Sequence, residues 1–433
     1  MQNELIVDVR LWGSLVGVLA WDESSDCAVF EYEPKFVRNG LNIAPLTMPL
    51  RVGRPYSFPA NKGRCFKGLP GLIADSLPDD FGSQIIRELF VAQGYALSEV
   101  TPLESLCYMG KRSMGALEFE PSKKNAELDS SSRIYVDDLV RMASDILAKR
   151  CDFKTLLKQD DKSLYDILKV GTSAGGAKPK AIIAYNEETG EVRSGQVEAP
   201  ENFGYWLLKF DGVKFREHDS ITEIPRGIGA VEYAYYQMAV RAGIEMSECR
   251  LFQDGDSRHF MTRRFDRSAG GKKFHMQTLS ALAHYDRDAR HSYEEAFLVM
   301  QNLGLDNAAL GQMFRRAVFN VMARNNDDHS KNISFLMDEG GKWKLAPAYD
   351  LCYSNNPESR WINRHQMSLC GKCDGHTADD FVKLAKFAGI RHYAEIIEQV
   401  RDAVSCWQGI AKDCGVRKNH IKEIESNLLY GMD

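Results

Sequence analysis

The sequence predicts an α+β protein, with an N-terminal α+β domain, then a small mixed α/β lobe, then a mostly helical C-terminal lobe. Three observations lead there. Up to about residue 268, strand-type runs mix with helical stretches and with Gly, Asn and Asp turns. Beyond Lys272 the apolar residues recur mainly at helical spacing. The helical part is interrupted once by a polar loop, Asn325-Asn326-Asp327-Asp328-His329-Ser330-Lys331-Asn332. After it come an apolar run, a Gly340-Gly341 turn and Ala346-Pro347-Ala348-Tyr349-Asp350, a hairpin that returns the chain to the loop.

At 433 residues the chain exceeds one ordinary core, so two or three domains are expected. Hydrophobic residues make up 44% and charged residues 27%, the balance of a globular protein. A net charge of −5 argues against a general nucleic-acid binder, although it leaves room for a local basic patch. Met1-Gln2-Asn3-Glu4 is not a basic segment leading into an apolar core, so no signal peptide is expected. No apolar run is long enough to span a bilayer, and no membrane partner is expected. Ten cysteines without a repeated spacing fit free thiols in a reducing, cytoplasmic compartment.

Residues 1–122 read as the N-terminal domain. Residues 5–9 and 16–19 flank Trp12-Gly13-Ser14 as a hairpin, and residues 27–32 form a third strand. Pro78, Asp79 and Asp80 open a helix that runs to Ala92, with proline and acids in the first turn, where they fit best. Residues 115–119 read as a closing strand. Residues 123–160 read as a polar linker and a helix, the latter over 136–149.

Residues 161–268 read as the α/β lobe. Gly171-Thr172-Ser173-Ala174-Gly175-Gly176-Ala177-Lys178-Pro179-Lys180 precedes a strand at 181–185. Small residues let backbone N–H groups approach a phosphate. The loop lacks the Gly-Lys-Ser/Thr and the following helix of a Walker A motif. It suits a kinase-like lid between strands, or else is an ordinary glycine turn. Lys209 closes the apolar run Tyr205-Trp206-Leu207-Leu208, where a buried lysine is costly without a partner. It is either placed to reach phosphates or is an edge-strand lysine facing water. Glu232, near the start of a helix over 229–242, is either the partner of that lysine or an acid favoured by the helix dipole. A hairpin about Asp254-Gly255-Asp256 passes into Arg263-Arg264-Phe265-Asp266-Arg267, a connection between lobes.

Residues 269–433 read as the helical lobe, with helices over 292–304, 307–324, 377–388, 392–413 and 419–430. Asp327 stands five residues before Asn332, and Asp350 lies beyond a hairpin. That is the order of a kinase catalytic loop and its metal-binding acid. Such a set supplies a proton acceptor together with hard oxygen donors for magnesium. A polar turn is the plain alternative for the loop alone. Asp328 is an alternative proton acceptor, although the spacing to Asn332 favours Asp327. The order of glycine loop, strand lysine, helix glutamate, connection, Asp-x4-Asn, hairpin and Asp predicts a two-lobed protein-kinase-like fold. Cys370-Gly371-Lys372-Cys373 has a metal-like spacing but lacks a second pair.

These features together resemble the HipA family of serine/threonine kinases, the toxins of bacterial toxin–antitoxin pairs. The resemblance is carried by Leu77-Pro78-Asp79, Gly176-Ala177-Lys178-Pro179-Lys180, Arg264-Phe265-Asp266-Arg267, Asp327-x-His329-x-Lys331-Asn332 and Pro347-x-Tyr349-Asp350. It implies Asp327 as catalytic base, Asn332 and Asp350 as magnesium ligands and Lys209 as the ATP-binding lysine. It further implies Gly175, Gly176, Ala177, Lys178, Pro179 and Lys180 as a phosphate loop and Arg263, Arg264 and Phe265 as an adenine-binding hinge. His329, Ser330, Lys331 and Tyr349 then border the nucleotide. Ser173 sits where the family carries an autophosphorylated serine, with Thr172 the adjacent candidate. The cofactors implied are ATP and Mg2+. The implied partners are a HipB-like helix-turn-helix antitoxin, operator DNA through that antitoxin, and a protein acceptor, an aminoacyl-tRNA synthetase in several members. The chain departs from the family at Ala174-Gly175-Gly176 with Lys178-Pro179, where some members carry a Gln-Glu pair. It also departs at Asp328, which replaces a small residue. Two rivals are a catalytically weak co-repressor bound to DNA with its antitoxin, and a kinase of small-molecule hydroxyls.

Overall fold

The computed structural model describes residues 5–63, 65–78, 80–96, 100–122, 131–147, 153–158, 161–171, 179–217, 220–223, 226–268 and 270–432. The chain forms two compact units. One comprises Met1–Ala44, Met48–Arg226 and Phe252–Met276; the other comprises Pro45–Thr47, Gly227–Leu251 and Gln277–Asp433.

In the first unit, β1 (Ile6–Leu11), β2 (Ser14–Asp22) and β3 (Cys27–Tyr32) form an antiparallel meander. Two short strands complete the sheet, β4 (Tyr56–Ser57) beside β3 and β5 (Leu117–Glu120) beside β1. Val7, Val9 and Leu11 alternate with polar or exposed neighbours and are fully or almost fully buried, as expected for a sheet covered on one face. Helix Asp80–Ala92 buries Phe81, Ile85, Ile86, Leu89 and Phe90 along one side.

The second sheet of this unit has the order β12-β13-β9-β7-β8-β6. Its strands are β6 (Arg133–Ile134), β7 (Lys180–Tyr185), β8 (Val192–Ser194), β9 (Gly204–Lys209), β12 (Cys249–Asp254) and β13 (Ser257–Arg263). A separate hairpin, β10 (Lys214–Glu217) with β11 (Ser220–Glu223), and a helix at Lys162–Val170 add to the sequence expectation. That helix is capped by Asp161, whose carboxylate accepts from the Leu164 N–H. It buries Leu164, Ile167, Leu168 and Val170.

Both sheets are fastened at one buried carboxylate. Asp266 accepts a fork from Arg264 at 2.9 and 2.7 Å, a bond from Arg267 at 2.8 Å and the Gly115 N–H at 2.8 Å. Arg267 also donates to Gly115 O and Ser113 O, and Arg264 to Gly195 O. Burial alone would raise the Asp266 carboxyl, but the two guanidiniums and their hydrogen bonds hold it far below the usual carboxylate range. Gly115 has φ +72, and a Cβ there would lie 3.2 Å from Met276 N, so this corner requires glycine. Lys273 adds a second tie, donating to Glu118 at 2.9 Å and to Lys111 O at 2.7 Å.

The second unit is mostly helical. Helix Asn307–Met322 packs on Tyr393–Ser405, and Ile228–Arg241 packs on Tyr393–Ser405 and Trp407–Asp413. Phe297, Phe314, Phe319, Tyr235 and Trp407 are among its fully buried side chains. The stretch 392–413, read as one helix from sequence, breaks at Cys406. There Trp407 turns into the core and donates its indole N–H to Ile421 O at 3.1 Å. The helix expected over 419–430 ends at Glu425. Among the described residues no helix is long and apolar enough to cross a membrane.

Replacing Asp266 with Asn should leave two buried guanidiniums under-compensated and destabilise the first unit by about 3–5 kcal/mol. A urea midpoint unchanged from wild type would contradict the role given to this carboxylate.

Candidate functional site

Helix Asn307–Met322 ends at Ala323, and Arg324, at φ 54, swings the chain into the polar loop. The Asn325 N–H caps back onto Asn320 O at 2.9 Å. From there the side chains sort sharply. Asn325, Asn326, Asp328 and Ser330 are buried, whereas the Asp327 side chain is 47% exposed. Asn326 donates to Ile362 O at 3.0 Å and to Asn355 Oδ1 at 3.1 Å. Ser330 donates to Tyr285 O at 3.1 Å.

Asp328 accepts four hydrogen bonds, from Tyr293 OH at 2.7 Å, His365 Nδ1 at 3.0 Å, Gln366 N at 2.8 Å and Met367 N at 3.2 Å. Its lone pairs are taken up inside the fold. Of the two adjacent acids, Asp327 is the one that reaches outward.

Asn332 donates its Nδ2 to Asp327 O at 2.8 Å. The amide orientation follows, and Oδ1 remains the acceptor end. His329 Nε2 lies 3.8 Å from Asp327 Oδ1. Burial pushes the His329 imidazole below its ordinary range, partly offset by Asp327 and reinforced by Arg287. Its Nδ1 is buried without a hydrogen-bond partner among the described residues.

The hairpin pairs Ser334–Met337 with Trp343–Leu345, and the Asp338 carboxylate accepts the Gly340 and Lys342 N–H groups across the turn. On the return, Ala346 N donates to Ser334 O at 2.9 Å, and Arg316 donates to Ala346 O at 2.8 Å. Tyr349 OH then donates to Lys331 O at 2.6 Å and lies 2.5 Å from Ser334 Oγ. The residue before Asp350 is thereby tied to the residue before Asn332. Asp350 has φ 58, in the left-handed region. Both Asp327 and Asp350 act electrostatically on His329.

In the first unit, Lys180 and Lys209 are direct partners across the antiparallel β7–β9 pair, so both side chains leave the same face of the sheet. Lys180 is buried, and Lys209 Nζ lies 5.7 Å from the Phe260 ring centroid. Pro179 lies immediately before Lys180. Arg263 ends β13 and stacks on Trp206 at 5.4 Å. Arg264 is committed to Asp266, and its backbone N–H donates to Tyr205 O at 2.9 Å. Glu232 is buried in helix Ile228–Arg241 of the second unit, whereas Lys209 belongs to the first. Thr172, Ser173, Ala174, Gly175, Gly176, Ala177 and Lys178 lie outside the described residues.

Around Cys370 and Cys373, burial raises both thiols, Cys370 to about 11, so neither is an activated thiolate. Among the described residues no group of three or more His, Cys, Asp or Glu is arranged to hold a metal.

A model of the HipA-like C-terminal domain matches residues 172–407, and a model of the HipA N-terminal domain matches residues 7–120. The chain belongs to the HipA family. The HipA chain of Shewanella oneidensis MR-1, solved with HipB and its operator DNA, superposes with a TM-score of 0.64 at 16% identity, covering 98% of this chain and 96% of that one. The match extends the family's fold, a mixed α/β lobe and a mostly helical C-terminal region, over almost the whole chain. A Haemophilus influenzae protein named "Putative kinase" is 25% identical over 249 residues, spanning 53% of this chain and 65% of that protein.

Within this HipA-family chain, replacing Tyr349 with Phe keeps the ring and deletes the tie between Lys331 and the end of the hairpin. A buried acceptor left unpaired costs about 1–3 kcal/mol. Hydrogen exchange over residues 329–333 should therefore accelerate about tenfold or more; unchanged protection would show that the hydroxyl does not hold the loop.

Proposed function

We propose that this chain is an ATP- and magnesium-dependent serine/threonine protein kinase of the HipA toxin type, with Asp327 as general base. The single observation that carries this reading is the sorting of residues 325–332. Asn325, Asn326, Asp328 and Ser330 are turned inward, and the Asp327 carboxylate is left at the surface beside His329 and an amide oriented by the loop's own carbonyl.

The donor set suits magnesium, which favours hard oxygen ligands and takes only one or two from the protein. Asn332 Oδ1 and the Asp350 carboxylate are of that kind. When bound with ATP, the ion supplies counter-charge to the triphosphate. The remaining chemistry belongs to the chain. Lys180 and Lys209 present two positive charges on one sheet face, to which a polyphosphate is complementary. Lys178, Pro179 and the glycines Gly175 and Gly176 serve as the phosphate loop with Ala177. Arg263, Arg264 and Phe265 border the adenine. Ser330, Lys331 and Tyr349 shape the wall beside the metal. Asp327 accepts the proton of a serine or threonine hydroxyl as that oxygen bonds to the γ-phosphorus and the bond to the β-phosphate oxygen breaks.

In domain terms, residues 1–122 are the N-terminal domain, 123–160 the connecting segment, 161–268 the nucleotide-side lobe and 269–433 the lobe that carries the base. The Shewanella complex supports an antitoxin of the HipB kind and operator DNA as partners here. An aminoacyl-tRNA synthetase is the acceptor class implied by the family, and the cytoplasm is the matching compartment. Ser173 phosphate would place a dianion in the phosphate loop, where it competes with nucleotide phosphates and switches the enzyme down.

Asp327→Asn should bind ATP within about twofold of wild type and lose about 10²–10⁴ in phosphate transfer. Labelled ATP with a cell lysate as acceptor source measures both, and wild-type turnover in the variant would remove Asp327 from the mechanism. Mass spectrometry after incubation with ATP should find phosphate on Ser173 with a matching fall in activity. An active enzyme with an unmodified loop would overturn that control.

A further inference from the structure

The loop holds two adjacent carboxylates, and the proposed reaction uses only one. The other, Asp328, accepts four hydrogen bonds inside the fold. Tyr293 comes to it from helix Tyr293–Asn302. His365 and the Gln366 and Met367 N–H groups come from the segment that enters the short strand Met367–Ser368. Tyr293 accepts in turn from Asn320 Nδ2 at 2.9 Å, and Asn320 Oδ1 accepts from Asn325 Nδ2 at 2.9 Å. One continuous chain of bonds thus runs from Asn325, through Asn320 and Tyr293, to Asp328. It anchors the loop on both sides of Asp327.

The donors are of the right kind throughout. Burial, then the neighbouring Asp328, push the Tyr293 phenol well above its ordinary range, so it stays a donor. His365 Nδ1 lies 3.0 Å from Asp328 Oδ2, and the His365 ring meets the His376 ring edge-on, 5.3 Å away between centroids. The segment beyond the hairpin is bound to the loop at further points. Gln366 N–H reaches Asn326 O at 3.1 Å, Asn326 N–H reaches Ser354 O at 3.0 Å, and Ser354 N–H reaches Arg324 O at 3.0 Å. Residues 354–367 and 324–328 are therefore laced together along their length.

We infer that Asp328 is a positioning residue, which fixes the backbone on either side of Asp327 and so aims the Asp327 carboxylate outward at the acceptor hydroxyl. The inference rests on Asp327 being the base. Asp328 touches no reacting atom; its effect reaches the reaction through its neighbour. An Asn in its place has nearly the same shape but turns an N–H₂ toward donors, so the network breaks without opening a cavity.

The test is a double-mutant cycle on the full chain, with ADP production from ATP read in the presence of lysate protein. Fluorescent-nucleotide affinity and thermal unfolding are measured on the same samples. Asp328→Asn should lower kcat by about a hundredfold, the scale of a misplaced reacting group, with nucleotide affinity held within about twofold. In the Asp327→Asn background the same change should add almost nothing, because the group it aims is gone. Tyr293→Phe removes one of the four bonds and should lower kcat by about threefold to tenfold. It keeps the test open if Asp328→Asn fails to fold. Full additivity in the cycle, or loss of nucleotide affinity in step with kcat, would overturn the inference while leaving Asp327 as base. Wild-type turnover in Asp327→Asn alone would remove the base assignment and the inference together.

Discussion

A carboxylate taken out of water must be met by donors on every side, and this requirement shapes both compact units. In the first, Asp266 gathers Arg264, Arg267 and the Gly115 N–H, and so fastens the N-terminal sheet to the sheet that carries Lys180 and Lys209. In the second, Asp328 gathers a tyrosine, a histidine and two backbone amides from segments about 35 to 39 residues away. In each unit the paired acid is next to residues proposed to meet the nucleotide or to carry the chemistry. The Arg264-Phe265 hinge adjoins Asp266, and Asp327 adjoins Asp328. In both places the costly buried group supplies rigidity.

Much of the fold is legible in the sequence because local rules and the final structure agree. The strand Cys27–Tyr32, the hairpin turning at Asp254-Gly255-Asp256 and the helix beginning at Asp306-Asn307 all follow from alternation, turn residues or a cap. The polar loop and its returning hairpin are legible for the same reason, since Asp338 and Gly341 mark the turn.

The illegible part depends on contacts between distant segments. The spacing to Asn332 favours Asp327 as the base, but nothing local tells which of Asp327 and Asp328 turns inward, since both belong to one polar run behind a pair of asparagines. The choice of which faces inward is made by Tyr293, His365 and Gln366. Arg264 likewise looks from sequence like a group free to meet a ligand, and Asp266, two residues on, takes its fork. The helix break at Cys406 is set by where Trp407 can bury its ring and still pair its N–H. The helix Lys162–Val170 could have been found, since Asp161 is a good cap and its apolar residues keep helical spacing.

Asp350 sits with φ at 58, a backbone shape that β-branched and bulky residues resist. Glycine, asparagine and aspartate enter it with least strain, and of these three only aspartate brings a negative charge. Backbone geometry and chemistry therefore filter the same position independently. Most single-codon drift away from aspartate is opposed by the bend itself, before any effect on the proposed metal ligand is felt. The two changes the bend tolerates, to asparagine or glycine, are the ones that would remove the carboxylate proposed to meet magnesium without disturbing its frame.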